Sequence, residues 1–276
     1  MRKQLVTMMA LVLTIGAQGQ VEMVDTARFV AVYDYECRTL DDEGVDVADR
    51  AKVVVQVGRT VTKSMPGSAY PKTDAPSIAD MAAIYQESLM HIPTVWTGFP
   101  DGKTTVREFI FPHGYEGREA TPEIAWTLTE DTVSIGGFLC QQATTKFRGV
   151  EWHVWYTEEV PSSAGPWRLC GLPGLIVRAT SEAHTFSLAE LKEDTTAITY
   201  EKAPDVQRMG YEKLLGYKNK TFGNRQYQKN PLYYLPDFQH YITHMEVYKN
   251  AGQGFVFANG HPLLTKAHVY QPLEKE

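Results

Sequence analysis

At 276 residues, with 43% hydrophobic and 22% charged side chains, the chain is long enough to bury one large core or two modest ones, and its composition argues against disorder. It carries 33 acidic against 27 basic residues, a formal net charge of −6. That balance disfavours a nucleic-acid partner, which calls for a basic patch or stripe.

The N-terminus opens on Arg2 and Lys3, continues through an apolar run from Leu5 to Ile15, and reaches Ala17-Gln18-Gly19, small residues where a signal peptidase cuts. Residues 1–19 therefore read as a secretory signal peptide, too short for a spanning helix. No cysteine follows the cut, so the expectation is an exported protein, periplasmic or extracellular, that is not a lipoprotein. Residues 20–276 are expected to form a single β-rich domain without a membrane span. Three cysteines, Cys37, Cys140 and Cys170, are an odd set. In an oxidising compartment the expected bridge joins Cys140 to Cys170, and the alternative is that all three are small buried hydrophobes.

From Arg28 to Cys37, Phe29, Ala31, Tyr33 and Tyr35 alternate with Arg28, Val30, Val32 and Asp34, the period of a first strand. After the acidic turn DDEG, residues 51–58 and 60–65 complete an antiparallel meander. The period then changes. Ile78, Met81, Tyr85 and Leu89 share a helical face, Ser77 and Asp80 form a capping pair, and Pro93 ends the element. Residues 104–111 read as a strand and Gly114-Tyr115-Glu116-Gly117 as a turn. Residues 126–129 and 137–148 read as strands, with a bulge where alternation slips at Gln141-Gln142. Phe147-Arg148-Gly149-Val150 is a tight hairpin connection. Beyond it Val150, Trp152, Val154 and Tyr156 face one way, and Glu151, His153 and Trp155 the other.

Residues 161–179, PSSAGPWRLCGLPGLIVRA, form the central stretch, a Pro-, Gly- and Ser-rich loop that passes abruptly into apolar sequence. Pro173 and Gly174 make Leu172 to Leu175 read as a type II turn clamped by leucines and feeding a strand. A further strand spans 184–191, with Phe186 and Leu188 paired by period. Residues 205–220 have helical spacing through Val206, Met209, Lys213 and Tyr217, capped by Asp205 and stopped at Gly223-Asn224. The Tyr-rich segment 227–241 is broken by Pro231 and Pro236, and residues 267–273 suit a last edge strand.

The run from Ser134 to Ala179 resembles the signature region of the GLPGLI family, also called the Porph_ging family. The likeness rests on Ile135-Gly136-Gly137 with Cys140, Phe147-Arg148-Gly149, Trp152 with Trp155, Gly165-Pro166-Trp167, and Gly171, Leu172, Pro173, Gly174, Leu175 and Ile176. Gln271-Pro272-Leu273-Glu274 resembles that family's short ending. The resemblance implies an exported Bacteroidetes protein of unknown function and brings no catalytic residues. Residues 126–140 also resemble half-barrel envelope proteins of the lipoprotein-carrier type, a likeness of fold alone.

Common hydrolase, zinc-protease, phosphate-loop and dinucleotide motifs are absent from the sequence. His240 and His244 could share a metal only on a helix, and their surroundings read as strand. Cys140 with His153 or His184 is the one candidate nucleophile, set against a structural cysteine. The sequence assigns no catalytic residue, metal or cofactor. Trp152, Trp155 and Trp167, with Tyr233 and Tyr234, are the candidate ligand-binding residues, and the glycines, prolines and leucines of the family motif are expected to be structural. The expected fold is α+β and β-dominated, a curved half-barrel-like antiparallel sheet with about two helices packed on it. The expected function is a non-enzymatic envelope binding protein for an apolar ligand, a peptide or a partner protein. The alternatives are a hydrolase or redox enzyme using Cys140 or a histidine, and a structural interaction module of an outer-membrane complex.

Overall fold

The computed structural model describes residues 20–41, 43–70, 91–110, 113–224, 245–250, 253–258, 261–263 and 268–275. The expected helix over 78–91, the Tyr-rich segment with Tyr233 and Tyr234, the pair His240 and His244, and the leader 1–19 lie wholly or almost wholly outside the described residues.

A strand the sequence did not announce, β1 (Gln20–Thr26), precedes the expected first one. β2 (Phe29–Leu40) and β3 (Asp46–Val57) then run as one unbroken antiparallel ladder from Phe29 opposite Val57 to Leu40 opposite Asp46. The turn between them is tied by Asp41, whose Oδ1 accepts the N–H groups of Glu43 and Val45. On the inward face Tyr33, Tyr35, Val53 and Val55 are fully buried, as the period of two dictates. β4 (Thr62–Pro66), β5 (Thr94–Thr97), β6 (Lys103–Ile110) and β7 (His113–Ala120) extend the sheet on one side. On the other side come β8 (Thr127–Ile135), β9 (Phe138–Phe147), β10 (Val150–Thr157), β11 (Leu175–Thr180) and β12 (His184–Glu193).

β13 (Ala197–Lys202) pairs with β1 as a separate two-stranded layer. Its Ile198 and Tyr200 pack with Ala27, Val61 and Trp96, so this ribbon covers the outer face of the β4–β6 region. β14 (Gln207–Gly210) pairs in parallel with β7, and α1 (Tyr211–Phe222) follows at once. β15 (Met245–Asn250), β16 (Gln253–Ala258) and β17 (His261–Leu263) form a small antiparallel sheet of their own. The large sheet has twelve strands in the order β14-β7-β6-β5-β4-β3-β2-β12-β11-β10-β9-β8, and it is curved and unclosed. The fold is thus α+β and mostly β, with α1 the one α-helix among the described residues.

Several local expectations are corrected. The glycine-flanked turn at 114–117 is the middle of β7. Gly117 lies under α1, where a Cβ would sit 2.9 Å from Tyr211 Cδ2 and 3.0 Å from Leu214 Cδ2, so its missing side chain seats the helix. The irregularity lies at the level of Gln141-Gln142 as expected, but the extra residues belong to β8 and not to β9. Leu128 pairs with Ala143 and Thr132 with Gln141, leaving three residues of β8 opposite one of β9. The helix expected from Asp205 begins at Tyr211, because residues 207–210 are drawn into pairing with β7, although its stop at Gly223 is as read. Residues 268–273 form no strand. Only Val269 N–H reaches a strand backbone, at Leu40 O, 2.8 Å away.

The leucine-clamped turn is also different. Gly171, not Gly174, takes a positive φ, 96°. Gly174 is required for close approach: a Cβ there would collide with the Thr157 carbonyl and lie 2.8 Å from Glu158 N. Gly174→Val should therefore cost about 3 kcal/mol by overpacking, read as a lowered urea midpoint with unchanged slope.

Candidate functional site

The loop from Pro161 to Gly174 leaves β10, crosses the inner face and returns as β11. Its path is held by its own backbone: Gly171 N–H donates to Ser163 O at 2.9 Å, Leu169 N–H to Pro166 O at 3.1 Å and Ile176 N–H to Ala164 O at 3.1 Å. Gly165 passes so close to Leu169 O and Ile176 that a Cβ would lie 2.5 Å from the former. Trp167, in the left-handed region at φ 57°, donates its backbone N–H to Ser64 Oγ of β4 at 2.9 Å. The loop therefore bridges strands far apart in the sheet order.

Trp152 and Trp167 do meet, with ring centroids 5.8 Å apart, but they meet inside the core, 0% and 2% exposed. Phe147, Phe186 and His184 complete the aromatic packing around them. Their indole N–H groups have no hydrogen-bond partner among the described residues. The expected aromatic groove at this place is instead filled by the chain's own loop. Trp155 is separated from the pair. It lies half-buried on the outer face, between its register partners Gln142 of β9 and Arg178 of β11.

Next to Trp167, Arg168 is buried in a network of acids. Its Nη1 donates to Glu274 Oε2 at 2.9 Å and its Nη2 to Glu119, while the guanidinium carbon lies 4.4 Å from the Tyr211 ring centroid. Arg148, from the β9–β10 turn, contacts the same Glu119 and Glu274 and also reaches Glu212 at 2.9 Å. Tyr211 OH donates to Glu274. Burial alone would lower the Arg168 pKa, but Glu274, Tyr211 and Glu119 outweigh it and hold the guanidinium above its ordinary range. Burial, with Glu274 beside it, holds the Tyr211 hydroxyl well above a free phenol. Sequence reading missed this cluster, though a signal existed: Arg168 is the one charge between Glu159 and Arg178, in a Gly- and Pro-rich run.

The tail also ties down His184. Tyr35 OH lies 2.8 Å from its Nδ1 and Pro272 O lies 3.2 Å from its Nε2, a pattern in which the tyrosine donates to a neutral ring that donates to the carbonyl. Burial lowers its pKa to about 4. Nearby, Lys218 pairs with Glu108, whose carboxyl burial lifts to about 7 against the pull of that lysine.

The cysteines are free thiols, and no bridge joins Cys140 to Cys170. Cys170 O accepts from Trp126 Nε1 beside the start of β8, whereas Cys140 lies four residues along β9 from Thr144, the partner of Thr127. The four strand residues from Cys140 to Thr144 span about 13 Å. Neither candidate base serves Cys140. His153 stands opposite Thr144, at that same separation, and His184 is on the inner face. Burial raises the Cys140 pKa and keeps the thiol protonated. Among the described residues no group of three or more His, Cys, Asp or Glu could hold a metal ion.

Two accessible features stand out among the described residues. On the outer face at the end of the β9–β10 hairpin lies a cavity of about 310 Å³ lined by Lys146, Glu151, His153 and Ser181 among others. At the far end of the sheet β8 is a free edge. Among the described residues it pairs only with β9, no residue of it is buried, and Leu128 and Val133 are 52% and 39% exposed, with Leu139 of β9 at 64%.

Fold and site together define a β-dominated protein on a curved, unclosed sheet whose concave side is packed with its own loop, helix and tail. Its residues 146–178 match the model of Porph_ging, a family described as proteins of unknown function, which is the family the sequence resembles. No curated protein matches the chain. Among solved structures, PNGF-II in its P21 crystal form has 14% identity and a TM-score of 0.47 over 71% of this chain and 33% of that one. Its C2 form gives 14% identity and a TM-score of 0.45 over 71% and 32%. The LolA superfamily protein NE2245 from Nitrosomonas europaea has 11% identity and a TM-score of 0.25 over 62% and 87%. The chain thus spans about a third of the PNGF-II chain. No helix among the described residues is long and apolar enough to cross a membrane.

Arg168→Met should destabilise the protein by about 3–5 kcal/mol, because it strands Glu119 and Glu274 in the interior. Glu274→Gln should cost less once Arg168 is already changed, a coupling that a double-mutant cycle in urea measures. For His184 the folded-state pKa lies below the ordinary 6.5, so its contribution to stability is complete above that value and is lost as pH falls through it towards 4. The loss is on the order of 3 kcal/mol. His184→Gln should be less stable at neutral pH yet show a flatter decline over that window in urea titrations.

Proposed function

We propose that the protein is a non-enzymatic binding protein of the cell envelope that takes an extended segment of a partner protein onto the free edge of β8. The observation that carries this reading is the edge itself: nine residues at the end of a twelve-stranded sheet, without a second strand partner among the described residues, with exposed apolar side chains on both faces. In the β8–β9 register Leu128, Ser134 and Leu139 share one face, and Val133 and Cys140 the other. A strand added to such an edge gains main-chain hydrogen bonds from the backbone and specificity from alternate side chains.

The occupant is chosen by charge. Glu130 and Asp131 sit in the β8 bulge, at the middle of the strand, and Glu159 accepts from Leu139 N–H nearby. Two copies of β8 paired antiparallel in full register would set Asp131 against Asp131, a direct like-charge clash. A partner strand with apolar residues around a central lysine or arginine meets both demands. The leader-like residues 1–19 support the envelope setting. An apolar cargo on the concave side is disfavoured, because Trp152 and Trp167 are sealed against each other there.

The test is fluorescence anisotropy with the labelled peptide Thr-Val-Lys-Val-Lys-Val-Thr. Saturable binding is expected, and the double change Glu130→Lys with Asp131→Lys should weaken it about tenfold or more while creating affinity for the glutamate counterpart of the peptide. Binding that is absent, or indifferent to the charge reversal, removes the reading.

A further inference from the structure

The cavity at the end of the β9–β10 hairpin is a second candidate site, independent of the β8 edge. Two lysines and two glutamates line it: Lys146, Glu151, Glu182 and Lys275. All four are exposed, and none makes an ion pair among the described residues. Lys146 and Glu151 are direct register partners across the ladder and still do not bridge.

The walls that carry these charges are fixed. Lys275 N–H donates to Arg148 O at 2.8 Å, and Glu274 before it is clamped by Arg168. Thr180 Oγ1 donates to His153 O at 3.2 Å, and Ser181 N–H to His184 O at 2.8 Å. Two residues beyond His153 on the same strand and the same outer face, Trp155 offers the half-buried aromatic surface on which a side chain could rest, with Arg178 and Gln142 beside it.

From this arrangement we infer that the cavity binds a small zwitterion of amino-acid or dipeptide type. Its carboxylate would lie at Lys146 and Lys275, its ammonium group at Glu151 and Glu182, and its side chain would point along β10 towards Trp155. A ligand of one charge would satisfy two of the four groups and face the other two as repulsive neighbours. A neutral saccharide would offer no counter-charge to any of them. The volume, about 310 Å³, lies at the small end of ligand pockets and excludes a long peptide.

Isothermal titration with alanyl-phenylalanine tests the inference. Saturable heat is expected for the free dipeptide, with affinity about tenfold or more weaker for its N-acetylated, amidated form and no binding of maltose. Lys146→Gln and Glu151→Gln should each weaken the free dipeptide about tenfold with unchanged urea midpoints, and Trp155→Ala should weaken alanyl-phenylalanine more than dialanine. The inference is overturned if the capped dipeptide or maltose binds as tightly, or if the free dipeptide gives no saturable heat. The Glu130→Lys, Asp131→Lys protein should retain dipeptide binding, so failure at β8 and failure here are read separately.

Discussion

Everything on the concave side depends on one buried guanidinium. Arg168 is 3% exposed, and a bare charge at that depth would be intolerable without the carboxylates of Glu119 and Glu274 and the ring of Tyr211. Those partners come from three places: the end of β7, the C-terminal tail and the first turn of α1. The pairing is therefore a constraint on topology as much as a source of stability. An ion pair of this kind gives little net free energy compared with an apolar substitute of the same shape, but it penalises any arrangement in which loop, helix and tail are not together.

That constraint explains why the concave side of the curved sheet is filled near its aromatic centre. The loop from Pro161 to Gly174 has to lie across the inner face for Arg168 to reach its acids, and in doing so it lays Trp167 on Trp152 and hooks Ser64 of β4. A curved sheet can hold a ligand in its hollow only if nothing else is in it. Here, around Trp152 and Trp167, the hollow contains the chain itself.

Much of the sheet was legible because a buried strand leaves a period of two in the sequence. The faces of 150–156 and of β2 were read correctly from Val150, Trp152, Val154 and Tyr156 and from Tyr33 and Tyr35. Failures occurred where a long-range partner overrode local chemistry. Gly114 to Gly117 carries turn residues, but Gly117 is a glycine because α1 lies on it. Gly174 looked like a turn glycine, but it is one because the Thr157 backbone passes beside it. Residues 207–210 had helical spacing until β7 supplied a ladder to join. The tryptophans were found as a group, and their division between core and outer face follows from the alternation of 152 and 155. Arg168 was inside the stretch singled out from the start, yet its importance was invisible because Glu119 and Glu274 lie 49 and 106 residues away.

The family match over residues 146–178 encloses both arginines of the cluster, Arg148 and Arg168, and neither of the two acids they share. The matched segment is thus the cationic half of the lock, and it needs carboxylates delivered from outside itself to fold as it does. Glu274 delivers one of them through a tail with no regular structure, so the lock is what places that tail. The next residue, Lys275, then hydrogen-bonds the Arg148 carbonyl and faces outward into the cavity. One residue separates a side chain that holds the interior together from one that lines an accessible site. Loosening Glu274 would move both, which couples the packing of the family loop to the shape of the outer-face cavity.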